Sequence, residues 1–302
     1  MAKSVTFIDT EVGVDDHKIH DIGAIRQDRA SFHAANIREF AAFVEGTEYI
    51  CGHNILHHDL KYLQNALGYE LPAIKIDTLY LSPLLFPKRP YHALLKDDKL
   101  QSDQLNDPVN DCKKAATLFY DEVNAFFELP SKVKQIFCCL LYDHPEFHGF
   151  FRYVNFRPYH VNVPELIRAE YEGQICSNAE LLPLIRHYPV ELAYALALVG
   201  AKDEHSITPP WLMRNYPKIE NVIKYLRGTP CADGCAYCRE ALNIHRELKR
   251  IFGYDSFRTY NGEPLQEKAA QAGDHVQRSP QAAENPLPFS FRHLWQAELC
   301  MG

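Results

Sequence analysis

The chain has 302 residues, room for one large domain or two ordinary ones, and 46% of them are hydrophobic, enough for a sizeable core. A formal net charge of −7 excludes a generally basic nucleic-acid binder, while leaving room for a local basic groove. No apolar run approaches the span of a bilayer or a secretory signal, and nine cysteines, an odd count spread along the chain, fit reduced thiols; the expectation is a cytoplasmic protein with no membrane partner.

In chain order, residues 4–9 read as a first strand, and Asp21–Arg26 as a second, antiparallel to it across a polar loop. Ser31–Phe32 suggests a short third strand, Ile37–Val44 a helix, and Tyr49–Gly52 a buried strand. Leu60–Leu67 has apolar residues at helical spacing and is closed by Gly68. Ile74–Asp77 is again a strand, after which Pro83, Pro87 and Pro90 mark a loop. Pro108 suits the first turn of a long helix that runs on to Phe127 and ends before Pro130. Alternating strands and helices over residues 1–130 imply an α/β domain. Residues 131–230 read as a mostly helical domain, with helices over Val133–Tyr142, Val190–Val199 and Ile219–Leu226. Within it, Phe147–Phe156 is aromatic-rich and reads as a strand or an irregular segment.

The first strand ends in Phe7-Ile8-Asp9-Thr10-Glu11. Residues i and i+2 of a strand share a face, so Asp9 and Glu11 point the same way. Two like charges side by side repel unless a cation lies between them, and hard divalent cations take oxygen ligands. Asp-x-Glu alone is equally compatible with a solvated acidic turn. Further along come His53, Asn54 and Asp59 before a helix, then Asp77-Thr78-Leu79, then Asp111 near the start of the long helix. In these elements, taken in this order over about the first 120 residues, the chain resembles the DnaQ-like (DEDD) 3′–5′ exonuclease family.

The resemblance implies a ribonuclease H-like mixed sheet flanked by helices. It implies two Mg²⁺ or Mn²⁺ ions on Asp9, Glu11, Asp59 and Asp111, serving phosphodiester hydrolysis at a DNA 3′ end, in repair or recombination. One departure stands out. The family places a general base, His or Tyr, five or four residues before its last Asp, and Asn106 and Asp107 hold those positions here. Asparagine takes no proton near neutral pH, which leaves a slower enzyme, a substitute base such as His92, or a binding module without catalysis. Single-stranded DNA 3′ ends are the expected partner, and Phe147–Phe156 with Arg152 and Arg157 is one candidate surface for stacking bases, alongside the reading that most of these aromatics are core.

Cys231-Ala232-Asp233-Gly234-Cys235-Ala236-Tyr237-Cys238 forms a knuckle whose thiolates can converge on one ion, with His245 or the more distant Cys176 as a fourth ligand. Zn²⁺ is the first expectation and a structural iron–sulfur cluster the alternative. The spacing also resembles the Cys-x3-Cys-x2-Cys of radical S-adenosylmethionine enzymes, though nothing else here resembles their barrel. Ile251–Arg258 followed by Gln266 and Glu267 resembles the segment opening RecQ-family helicases, but no phosphate-gripping glycine loop follows. Residues 231–267 thus read as a knuckle with a helicase-like segment and residues 268–302 as a disordered or truncated tail. A helicase is the further partner that this implies.

Overall fold

The computed structural model describes residues 3–89, 92, 107–201, 208–227, 231, 235, 237 and 238. Strand β1 (Val5–Val12) pairs antiparallel with β2 (Ile19–Arg26), which pairs antiparallel with β3 (Ser31–His33). On its other side β1 pairs in parallel with β4 (Tyr49–Gly52), and β4 with β5 (Ile74–Asp77). The result is a mixed five-stranded sheet in the order β3-β2-β1-β4-β5, with β1 at its centre.

Alternation along β1 divides its side chains between two helical layers. Ile8 lies fully buried among Ile22, Ala24 and Ile50 of the sheet, Phe40 of α1 (Ile37–Val44) and Leu63 of α2 (Asp59–Leu67). Phe7 faces the other way, its ring 5.8 Å from Phe119 and 6.0 Å from Tyr120 of α4 (Pro108–Glu128). Asp9 and Glu11 continue the Phe7 face. The helix boundaries follow local chemistry. Asn36 caps α1 by accepting from the Arg38 and Glu39 N–H groups, Gly68 ends α2 at φ 77°, and Asp107 caps α4 by accepting from Val109 at 3.0 Å.

Two segments differ from expectation. Helix α3 (Thr78–Leu85) runs through Pro83, where a loop was expected. Every residue of α3 is buried and Asp77 caps its start, so burial of an apolar turn outweighs one missing hydrogen bond. The aromatic run is neither strand nor irregular but helix α6 (Pro145–Tyr153), with Phe147, Phe150 and Phe151 buried at the i, i+3, i+4 spacing of a core face. These rings are core. Gly149 lets the helix lie against β5, since a Cβ there would stand 2.0 Å from the Lys75 carbonyl oxygen.

The remaining helices are α5 (Ser131–Leu141), α7 (Val163–Glu170), α8 (Leu181–His187), α9 (Pro189–Gly200), α10 (Pro210–Asn215) and α11 (Ile219–Leu226). Residues 1–231 form one compact unit in which α6 packs on β5 and α9 packs on both α3 and α5, so packing passes across residue 130. The buried Tyr194 hydroxyl donates to the Tyr80 carbonyl at 2.8 Å and ties α9 to α3. No helix among the described residues is long and apolar enough to cross a membrane.

Candidate functional site

At the end of β1, carboxylate oxygens of Asp9, Glu11 and Asp111 lie within 4.8 Å of one another, each residue half-buried. Asp9 and Glu11 come from one face of the strand, and Asp111 from the first turn of α4. The approach of that helix depends on Gly23, which pairs with Asp9 across β1–β2. A Cβ on Gly23 would stand 2.4 Å from the Pro108 carbonyl carbon and 2.5 Å from the Val109 nitrogen. Only glycine lets the α4 N-terminus close over the strand here.

Asp59 joins from the other helical layer. Pairing between β1 and β4 stops at Phe7 opposite Cys51, so β1 outruns its parallel neighbour. Beyond that point Asp59 Oδ1 accepts both the Thr10 backbone N–H and the Thr10 hydroxyl, each at 2.7 Å. Asp59 is 2% exposed and sits in the first turn of α2, where the helix dipole favours a carboxylate. It is thus fixed to the residue between Asp9 and Glu11, outside the close triad. Buried Cys112 reports the joint field: burial, then Asp9, Asp59 and Asp111, push its thiol well above the usual range.

The turn that delivers Asp59 is held by Asp77. Its fully buried carboxylate accepts from the Asn54, Leu56 and Leu79 N–H groups at 2.7, 3.0 and 3.0 Å. Burial lifts its pKa to about 7 against the pull of these three donors. Asn54 takes a left-handed φ of 67°, and His53 Nδ1 lies 2.8 Å from the Thr78 hydroxyl, which itself donates to the Gly52 carbonyl. His53 and Asn54 therefore shape the turn.

His92 is an interior residue, 6% exposed, with neither ring nitrogen hydrogen-bonded among the described residues. Its charged neighbour is Arg89, and burial followed by that guanidinium holds its pKa down to about 4. Asp107 is occupied as the α4 cap. Asn106 and His245 lie outside the described residues, as do the helicase-like segment and the tail. Two side chains at the acids carry no sequence-level signal strong enough to single them out. His58 Nδ1 stands 3.6 Å from Asp59 Oδ2, and its pKa is raised by Asp59 and, more weakly, by Glu11. Lys114, one turn along α4, stands 3.4 Å from Asp111.

The acidic donor set fits a hard cation. An octahedral Mg²⁺ at about 2.1 Å holds adjacent oxygens about 3 Å apart and opposite ones about 4 Å apart, within reach of this cluster. A second set of donors is formed by sulfur. Cys176, Cys231, Cys235 and Cys238 bring their sulfur atoms within 4.8 Å of one another. Cys176 stands on a loop clamped by Arg168, which donates to the Ser177 carbonyl and, at 2.8 Å, to that of Ala179. The Cys176 N–H donates to the Leu226 carbonyl at 2.6 Å, and Asn178 Nδ2 lies 3.6 Å from Cys231 Sγ. No family model, curated protein or solved structure matches the chain.

Proposed function

We propose that the protein is a metal-dependent 3′–5′ exonuclease of ribonuclease H-like fold, acting on single-stranded DNA ends. The observation that carries this reading is the meeting of Asp9, Glu11 and Asp111 within 4.8 Å at the end of the central strand, with Asp59 bonded to the Thr10 between two of them. Like charges held this close repel, and a cation between them would offset that repulsion alongside Lys114, 3.4 Å from Asp111. Asp9, Glu11 and Asp111 would hold one Mg²⁺ or Mn²⁺, and Asp59 with Asp9 a second. When bound, such ions would supply charge stabilisation to the attacking and leaving oxygens of a phosphodiester. The protein's own part is to hold the ligands rigidly, through Gly23 below Asp111 and Thr10 beside Asp59.

The cysteine cluster would hold Zn²⁺, with Cys176 as its fourth ligand. A tetrahedral zinc at about 2.3 Å from each sulfur sets them about 3.8 Å apart. Four sulfur atoms within 4.8 Å of one another suit a single tetrahedral ion.

A second reading has support in two observations: Asp107 is spent on capping α4, and His92 is interior. It is a module that grips a 3′ end without cutting it. The deciding experiment follows 3′- and 5′-labelled single-stranded DNA with Mg²⁺ or Mn²⁺, beside Asp9→Ala. Release of mononucleotides from the 3′ end by wild type alone supports the exonuclease. Inert wild type that still binds the strand supports the module. Metal analysis of the colourless or brown protein separates zinc from iron.

A further inference from the structure

We infer that the single-stranded DNA leading away from the acidic cluster lies in a groove between the β1–β2 loop and the outer flank of α2, gripped by Lys18, Lys61 and Tyr62. The inference rests on the proposed exonuclease reading and adds to it the path of the strand.

The groove encloses about 650 Å³. Ile19, Ile22 and Ile37 are its apolar part, and its charged lining is Lys18 and Lys61 with His17 beside them, with no carboxylate among the lining residues. That is unusual in a chain with a net charge of −7. A second groove of about 750 Å³ also reaches Lys61, but there Lys75 and His148 are mixed with Glu70 and Asp143. Only the first offers a polyanion a surface of one sign.

Its position joins it to Asp59. Ile22 pairs with Thr10 on the face of β1 opposite Asp9 and Glu11, the face from which the Thr10 hydroxyl donates to Asp59. Tyr62 packs its ring 5.4 Å from that of His58, and His58 reaches Asp59. Lys61 Nζ stands 5.8 Å from the Tyr62 ring centroid, so cation and ring face the same space. Lys18 is placed by a closed turn: Gly13 donates to the Lys18 carbonyl at 2.9 Å, and the Lys18 N–H donates to Asp16 at 3.1 Å. Two exposed lysines flanking an apolar floor and one half-buried tyrosine suit phosphates on the rim and a base stacked within.

The test is anisotropy of a fluorescent single-stranded DNA in EDTA across a salt series, run beside nucleotide release with Mg²⁺. Lys18→Glu/Lys61→Glu is compared with Lys132→Glu/Lys218→Glu, which changes the charge equally at exposed sites outside the groove lining. The groove variant should bind at least about 30-fold more weakly, with a salt slope lower by about 1.4, the value for two lost phosphate contacts on a single strand. Tyr62→Ala should lose about 5- to 100-fold. The control pair should change binding by less than about threefold. Equal weakening by both pairs, or none by the groove pair, overturns the inference. Failure of the two claims is separable. Binding through the groove without nucleotide release sinks the nuclease and keeps the groove. Undiminished release by the groove variant does the reverse.

Discussion

At the end of β1, three half-buried carboxylates are brought together by a strand and a helix that fold for reasons of their own: Phe7 against Phe119, and Gly23 beneath Pro108. At the cysteines the balance is reversed. Cys176 and Cys238 are buried, Cys231 and Cys235 half-buried, and Cys176 stands on a loop clamped by Arg168. On the proposed reading, a cation at the first region would serve chemistry, and an ion at the second would cross-link the four sulfurs. Metal should therefore matter for activity at one cluster and for folding at the other.

The largest expected effect tests that contrast directly. Cys176→Ser, or removal of zinc by a strong chelator, should lower stability by several kcal/mol, a fraction of the about 10 kcal/mol that zinc supplies to metal-dependent peptides. Thermal unfolding and metal content by mass spectrometry read this out. Asp9→Ala should leave the melting temperature unchanged or slightly higher, because it removes a like charge. If Asp9→Ala melts as early as Cys176→Ser, the two clusters are not built on different plans.

Next in size is Gly23→Ala. Its Cβ meets main chain, not a flexible side chain, so the α4 N-terminus must shift. Overpacking of this kind costs about 1–3 kcal/mol. Asp111 moves with the helix, and a displacement near 1 Å is enough for about a 100-fold loss of nucleotide release. Stability falling while activity holds would mean that Asp111 is not a working ligand.

The sheet and most helix limits were legible because apolar period and caps agree there: Ile37–Val44, Tyr49–Gly52 and Ile74–Asp77 fall where the pattern puts them. Pro83 misled because a proline signal is local, whereas complete burial of α3 is a property of the tertiary fold. The helical spacing of Phe147, Phe150 and Phe151 was present in the sequence but masked by aromatic density. Asp9, Glu11 and Asp111 could be proposed from order alone. The role of Gly23 could not, since a glycine in a strand does not say which backbone approaches it.

A third effect separates the open acids from the polar interior behind them. Glu122 is fully buried with both carboxylate oxygens lacking a hydrogen-bond partner among the described residues, and burial raises its pKa well above 4.5. The folded chain thus keeps a proton that the unfolded chain has lost, and its contribution is lost as pH rises above 4.5. Asp77, raised to about 7, works in the same direction. His53 and His92, lowered from 6.5 to about 4, work oppositely, giving stability that is lost as pH falls through that window. Two acids against two histidines should leave wild-type stability nearly flat between about 4.5 and 6.5 and falling above it. Glu122→Gln removes one acid, so relative to wild type it should gain about 1.4 kcal/mol per pH unit above 4.5. Parallel stability curves in urea from pH 5 to 8 for the two proteins would contradict this.

The smallest expected effect probes the link between the two helical layers. Thr10→Val removes the hydroxyl that donates to Asp59 but keeps the backbone N–H, which donates to the same oxygen. Losing one of two donors to a buried carboxylate costs about 1–1.5 kcal/mol, and it frees Asp59 to turn away from Asp9 and Glu11. Nucleotide release should fall about 10-fold at saturating metal, and the metal concentration for half-activity should rise. Thr10→Ser restores the donor at the same reach and should recover most of both. That rescue decides between two roles for Thr10, because a residue needed only for packing would be harmed more by losing its methyl group than by exchanging its hydroxyl for one. If serine is the worse variant, Thr10 fills space, and Asp59 is held by the strand's N–H alone.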